Sequence, residues 1–224
     1  MTGMSRRQAL AGLGSVSLAT LLAACGGDDD EGPAAQVETT DGNAFDGAAT
    51  CTQTAELTEG PFYFDVDSIR SDIREDREGA KLRLGVRVRT ASDCSPLADA
   101  VVDIWHCDAT GNYSADGETY LRGAQVTDKD GVAEFTTIYP GWYPGRTVHI
   151  HAKVHVDRQT VLTTQFAFDD ELSENVFGAE PYASHEGRTT FNENDGLYSE
   201  ELELTLSERG DGYRGLITVD VAPT

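Results

Sequence analysis

From Lys81 to Arg89 every second residue is apolar, with Leu82, Leu84, Val86 and Val88 sharing one face of the chain. Successive strand side chains point to opposite faces, so this period suits a half-buried strand and fits no helix. The same character returns in Val101–Trp105, Gly131–Ile138, Val148–Val156, Val161–Phe168, Glu201–Leu206 and Leu216–Val221. These segments are separated by turn-forming residues at spacings typical of sheet proteins. Asp128-Lys-Asp-Gly131 reads as a hairpin turn. Beyond the N-terminal region the pattern contains no amphipathic helix, and the expected fold is an all-β sandwich.

The chain ahead of these strands reads as an address. Arg6 and Arg7 form the twin arginine of a Tat-type export signal, and the apolar run after them ends in Leu22-Ala-Ala-Cys25. That run is short for a membrane span and closes on small residues, as a cleavable signal does. Residues 1–24 are therefore expected to be a lipoprotein signal peptide, with Cys25 lipidated. Residues 25–50 are small and acidic, with too little apolar surface to fold, and read as a flexible tether. Residues 51–224 remain as one domain, anchored by Cys25 on the extracytoplasmic face of the membrane.

The 39 acidic residues outnumber the 17 basic ones, for a formal charge of −22. Nucleic acid as a partner is excluded on that balance, because it needs basic surface. Long-range capture of an anionic substrate is disfavoured for the same reason. In an exported protein Cys51 and Cys94, both in polar flanking segments, are the candidate disulfide, with Cys107 left as an odd thiol. Three free, buried thiols are the alternative.

In Val148-His-Ile-His-Ala-Lys-Val-His-Val156 the even positions are apolar and the odd ones polar. Taken alone this is a half-buried strand with one wet face. His149 and His151 nevertheless share that face and can reach one metal ion, and Tyr143 and Arg146 stand just upstream. Phenolate beside imidazole suits a hard, highly charged metal better than zinc or copper(I). Gln165 lies on the next strand, opposite in direction to Phe166, so a hairpin would bring its amide over the histidine face. A second cluster, Trp105-His-x-Asp-x-x-Gly-x-Tyr113, adds another tyrosine.

Thr58-Glu-Gly-Pro-Phe-Tyr63, Trp105 to Ser114 and Pro140 to His151 together make the chain similar to the intradiol ring-cleavage dioxygenases. The catechol 1,2- and protocatechuate 3,4-dioxygenases belong to that family. The resemblance runs from about Leu57 to Ala222. It implies a β-sandwich catalytic core with one non-haem Fe(III) per chain, held by Tyr113, Tyr143, His149 and His151. It implies that Arg146 stabilises charge on the bound substrate, that Gln165 lies near the iron, and that Gly60, Pro61 and Tyr63 line the substrate pocket. The activity implied is insertion of both atoms of O2 into a catechol, cleaving between the hydroxylated carbons to a muconate-type diacid. Tyr143 would be the phenol that leaves the metal when catechol binds. Asp93–Ile104 and Thr127–Phe135 also resemble transthyretin-like or carboxypeptidase-regulatory modules, which bind without turnover. A copper or zinc site in a redox or storage role is a third reading.

Overall fold

A computed structural model describes Phe45 and residues 51–115 and 117–222. The expectations for the segment before Cys51, including the signal, the lipidated Cys25 and the tether, fall outside the described residues, Phe45 apart.

Eight strands form two four-stranded sheets packed face to face. They are β1 (Lys81–Thr90), β2 (Val101–Trp105), β3 (Arg122–Val126), β4 (Val132–Ile138), β5 (His149–Val156), β6 (Gln159–Ala167), β7 (Thr205–Arg209) and β8 (Gly212–Val221). One sheet has the order β4-β1-β8-β7 and the other β3-β2-β5-β6. All neighbours are antiparallel except β1 and β8, which run parallel. Leu82, Leu84, Val86 and Val88 of β1 meet Val102, Ile104, Ile150, Ala152, Val154 and Phe166 of the facing sheet in one buried core. Each apolar side chain buried this way contributes roughly 1.5–3 kcal/mol, which is what the two-residue period secures. Cys51 and Cys94 are joined by a disulfide, and Cys107 is free and buried.

The structure departs from the sequence reading in four places. The expected hairpin at Asp128–Gly131 is a turn that crosses from one sheet to the other, because β3 and β4 belong to different sheets. The Asp128 carboxylate still builds it, accepting the N–H groups of Asp130 and Val132. Strand β3 was not expected, since Arg-Gly-Ala-Gln-Val carries little apolar alternation and owes its form to pairing with β2. A helix, α1 (Asp170–Phe177), occupies a segment read as non-helical. Asp169 caps it by accepting the Leu172 N–H at 2.7 Å, and tertiary packing of Val176 and Phe177 completes what an eight-residue helix lacks alone. The last departure lies near the C-terminus, where the strand expected over Glu201–Leu206 begins only at Thr205, after a 3₁₀ turn over Glu200–Leu202.

No helix among the described residues is long and apolar enough to cross a membrane.

Candidate metal centre

The polar face of β5 does not meet water. His149, His151, Lys153 and His155 are all buried. Their cover is a strap that leaves β8 of the first sheet at Thr54 and lies, over residues 57–64, across the outer face of the second sheet. Leu57 N–H donates to the Thr163 carbonyl at 2.8 Å, and Gln165 Nε2 donates to the Thr58 carbonyl at 2.8 Å. Lys153 reaches Glu59 at 2.5 Å. Gly60, at φ +70°, passes so close that a Cβ there would sit 3.3 Å from His151 Cε1. Glycine is the residue that takes both that backbone conformation and that approach.

Two loops bring the tyrosines to the histidines. The β2–β3 loop is folded by Asp108, whose carboxylate accepts the N–H groups of Thr110 and Asn112 at 2.9 Å each. The β4–β5 loop packs against it, with Gly141 N–H donating to the Asp108 carbonyl at 3.0 Å. A Cβ on Gly111 would stand 2.3 Å from the Trp142 carbonyl, so the glycine of the upstream cluster marks where the loops cross.

At the focus, Tyr143 Oη lies 3.1 Å from His149 Nε2, and His149 Nε2 lies 3.1 Å from His151 Nε2. His149 Nδ1 is 2.7 Å from the Thr147 carbonyl, to which it donates, so Nε2 presents its lone pair. The Tyr113 hydroxyl is buried without a hydrogen-bond partner. Its ring centroid is 5.8 Å from that of Tyr143 and 6.0 Å from that of His151. Trp105 stacks on His151 at 4.9 Å, and Phe62 stacks on Tyr113 at 4.6 Å.

Burial, reinforced by Arg146, pulls His149 down to about 4. Burial, then His149 and Arg146, pulls His151 down to about 2. Burial also raises both phenols, Tyr113 well above its ordinary value. All four groups are thus neutral at physiological pH: two imidazoles with lone pairs, and two phenols that only a strong local cation would ionise. A 3.1 Å separation of the two nitrogens is what two ligands subtend at roughly a right angle on one ion about 2.1 Å from each. Among the described residues no group of three or more His, Cys, Asp or Glu side chains could hold a metal. The donors gathered at the focus are two imidazoles and two phenols, a set that suits a hard trivalent cation.

Beside this focus Arg146 is held from two sides. Its Nε donates to Asp195 Oδ2 at 2.9 Å and its Nη2 to Gln165 Oε1 at 2.5 Å. Burial works to raise the Asp195 pKa, but the N–H groups of Leu197 and Thr147 together with Arg146 hold it below the usual range. In the sequence Asp195 belongs to Asn192-Glu-Asn-Asp-Gly196, which signals only a turn. Gln165 stands directly across from His151 in the β5–β6 register. Pro61 is exposed. Tyr63 packs on Trp105 at 4.7 Å, one ring removed from His151, and its hydroxyl donates to Asp103 at 3.2 Å. Phe62, rather than Tyr63, is the strap side chain against a candidate ligand. His106 turns to Thr137, its Nε2 2.7 Å from Oγ1, while Cys107 is buried near the two phenols, donating to the Gly141 carbonyl at 3.5 Å, and burial takes its thiol up to about 12.

Comparison with known proteins gives the family of the fold. Residues 58–180 match the dioxygenase family model. The solved intradiol ring-cleavage dioxygenase of Tetranychus urticae superposes with a TM-score of 0.74 at 31% identity, covering 77% of this chain and 96% of that one. The dioxygenase domain of a carbohydrate-binding fusion protein from Streptomyces sp. SirexAA-E gives 0.61 at 32% identity, over 76% and 100%. Catechol 1,2-dioxygenase 1 of Acinetobacter lwoffii is 31% identical over 147 residues, 53% of this chain and 47% of that protein. The chain spans about half the length of the curated relatives it matches. It belongs to the intradiol ring-cleavage dioxygenase family.

Proposed function

We propose that this member of the intradiol dioxygenase family binds one Fe(III) through Tyr113, Tyr143, His149 and His151 and opens the ring of catechol-type diols. The supporting observation is the buried, neutral focus in which two imidazole nitrogens and one phenol oxygen lie 3.1 Å apart in series, beside a second phenol without a partner. A non-catalytic binding module has no use for such a focus, nor for an arginine pinned between Asp195 and Gln165.

When bound, Fe(III) supplies the Lewis acidity that ionises phenol and diol and draws ring electron density toward reaction with O2. The bond between the two hydroxylated carbons breaks, both oxygen atoms of O2 enter the product, and the ring carbons supply the electrons. No external reductant is needed. His149 and His151 offer Nε2, with Thr147 holding the His149 tautomer. Tyr143, next to the exposed Pro144 and Gly145, is the phenol free to swing aside and take a diol proton on Oη. Tyr113, stacked under Phe62, stays. Arg146 stabilises negative charge that develops on the substrate, and Asp195 and Gln165 hold it preorganised for that task. The strap keeps water from the histidines.

The acidic surface favours an uncharged catechol over a carboxylated one. Lipidation at Cys25 after Tat export would tether the enzyme outside the membrane, where soluble aromatics can be opened before uptake. Cys25→Ser should then release active protein into the medium. The central test is metal analysis and a visible spectrum, followed by oxygen uptake on a panel of catechols with the products identified. Stoichiometric zinc or copper, or an uncoloured iron protein, would overturn the ligand set.

A further inference from the structure

Arg122, Trp105, His151 and Gln165 stand in one register across all four strands of the second sheet. Each is buried. Three have a place in the site already: His151 as a donor, Trp105 stacked on it, and Gln165 bonded to Arg146. Arg122 is the fourth, at the β3 end of the row.

Its guanidinium is spent on the residue after Tyr113. Nε donates to Ser114 Oγ at 2.5 Å and Nη2 to the Ser114 carbonyl at 3.0 Å. Its Cζ lies 4.0 Å from the centroid of the Phe64 ring, and Nη1 is buried with no acceptor. No carboxylate among the described residues forms an ion pair with it. Asp103 acts on its charge electrostatically, yet among the described residues its side-chain hydrogen bonds go to a neutral serine, and such a buried cation costs more than apolar packing of the same volume would. What the fork supplies is geometry, since two parallel donors fix a segment in a way a single bond does not. Beside Tyr143, among the described residues, there is no guanidinium fork: the Trp142 carbonyl meets His185 Nε2 at 3.0 Å, a single hydrogen bond. The exposed Gly145 makes one hydrogen bond, to Thr190 Oγ1 at 3.2 Å.

Resting on the iron reading above, we propose that Arg122 is the positioning residue for Tyr113, clamping Ser114 so that the adjacent phenol is aimed at the His149–His151 pair and cannot swing away. The clamp makes the two tyrosines unequal: the residue after Tyr113 is locked by a guanidinium fork, and the residues on either side of Tyr143 are tied by single hydrogen bonds or none.

The test uses the full iron-loaded chain with Arg122→Gln, Arg122→Lys and Ser114→Ala. The readouts are iron retained on dialysis against a chelator, the charge-transfer band of the catechol complex, kcat and KM separately, and the thermal midpoint. Arg122→Gln is expected to weaken iron retention roughly 10–100-fold, the scale for losing a residue that orients a metal ligand. It should also shift the charge-transfer band and lower kcat more than it raises KM. Arg122→Lys should restore part of each loss, and Ser114→Ala should act in the same direction with a smaller effect. A folded Arg122→Gln protein with wild-type iron retention and an unshifted band overturns the proposal. If that variant does not fold, wild-type retention and band in Arg122→Lys overturn it instead. A wild-type chain that takes up no iron would sink the iron reading along with this one, and that result needs no variant to be seen.

Discussion

Strands β1 and β5 read alike and end differently. Each alternates strictly, apolar at even positions and mostly basic or imidazole at odd ones. In β1 the polar face partly meets solvent: Arg83 is exposed and Arg87 half-buried. In β5 the polar face is sealed under the strap, with His149, His151 and Lys153 all buried. A long arginine can run its stem along the sheet and keep its charge in water. A short imidazole under a cover must instead give up its proton and find a partner. A sealed polar face with lone pairs turned inward is a site, and an open one is only a surface.

The largest contrast should come from deleting one side chain on each face. His149→Ala or His151→Ala should abolish colour, bound iron and oxygen uptake together, whereas Arg83→Ala should leave all three intact and change stability by less than about 0.5 kcal/mol. Metal analysis and oxygen-electrode traces on the three proteins check this, and an iron-loaded, active His151→Ala protein would break the comparison.

Arg146→Ala tests whether the sealed face is electrostatically organised as well as dry. It should retain colour and lower kcat by roughly 10²–10³, the usual scale for one preorganised stabiliser. Lysine should rescue only in part. Asp195→Asn, which loosens the same guanidinium, should move kcat in the same direction by less. Unchanged turnover in Arg146→Ala would show that the arginine lies outside the reaction.

Acid should separate the two faces without mutation. In the metal-free protein burial, reinforced by Arg146, depresses His149 from 6.5 to about 4. Below pH ~6.5 the unfolded chain takes up protons that the folded protein refuses. Stability is therefore full above about 6.5 and falls as pH drops toward 4, by about 3 kcal/mol for a single group shifted from 6.5 to about 4. Thermal midpoints across this range give the readout, and a flat profile would contradict the sealed face.

The smallest effect belongs to the edge of the cover. Glu59→Gln removes the partner of Lys153 at a half-exposed position, so a loss of roughly 0.5–1 kcal/mol is expected. That corresponds to a two- to fivefold change in the folding equilibrium constant, read from the thermal midpoint, with iron content unchanged. A fall in iron content would mean that the strap supports the metal and not only the pocket.

Much of the site was legible because its parts are local. His149 and His151 share a face by the two-residue period, and the glycines and prolines around Tyr113 and Tyr143 announce tight loops. Gln165 followed from hairpin logic and does stand opposite His151. Asp195 and Arg122 were not legible, since one lies in an ordinary turn and the other on a strand with almost no apolar signal. Their roles come from partners 49 and 8 residues away, at Arg146 and Ser114 respectively.

The sequence by itself determined the two-residue period, the pairing of like faces into a sandwich, and the inventory of phenols, imidazoles and arginine in family order. Only the tertiary structure decided that the strap covers β5, that the turn at Asp128 changes sheets, and that Arg122 joins the histidine row. The physical reason is that alternation specifies which side chains share a face. Whether that face is wet or dry depends on which distant segment lies over it.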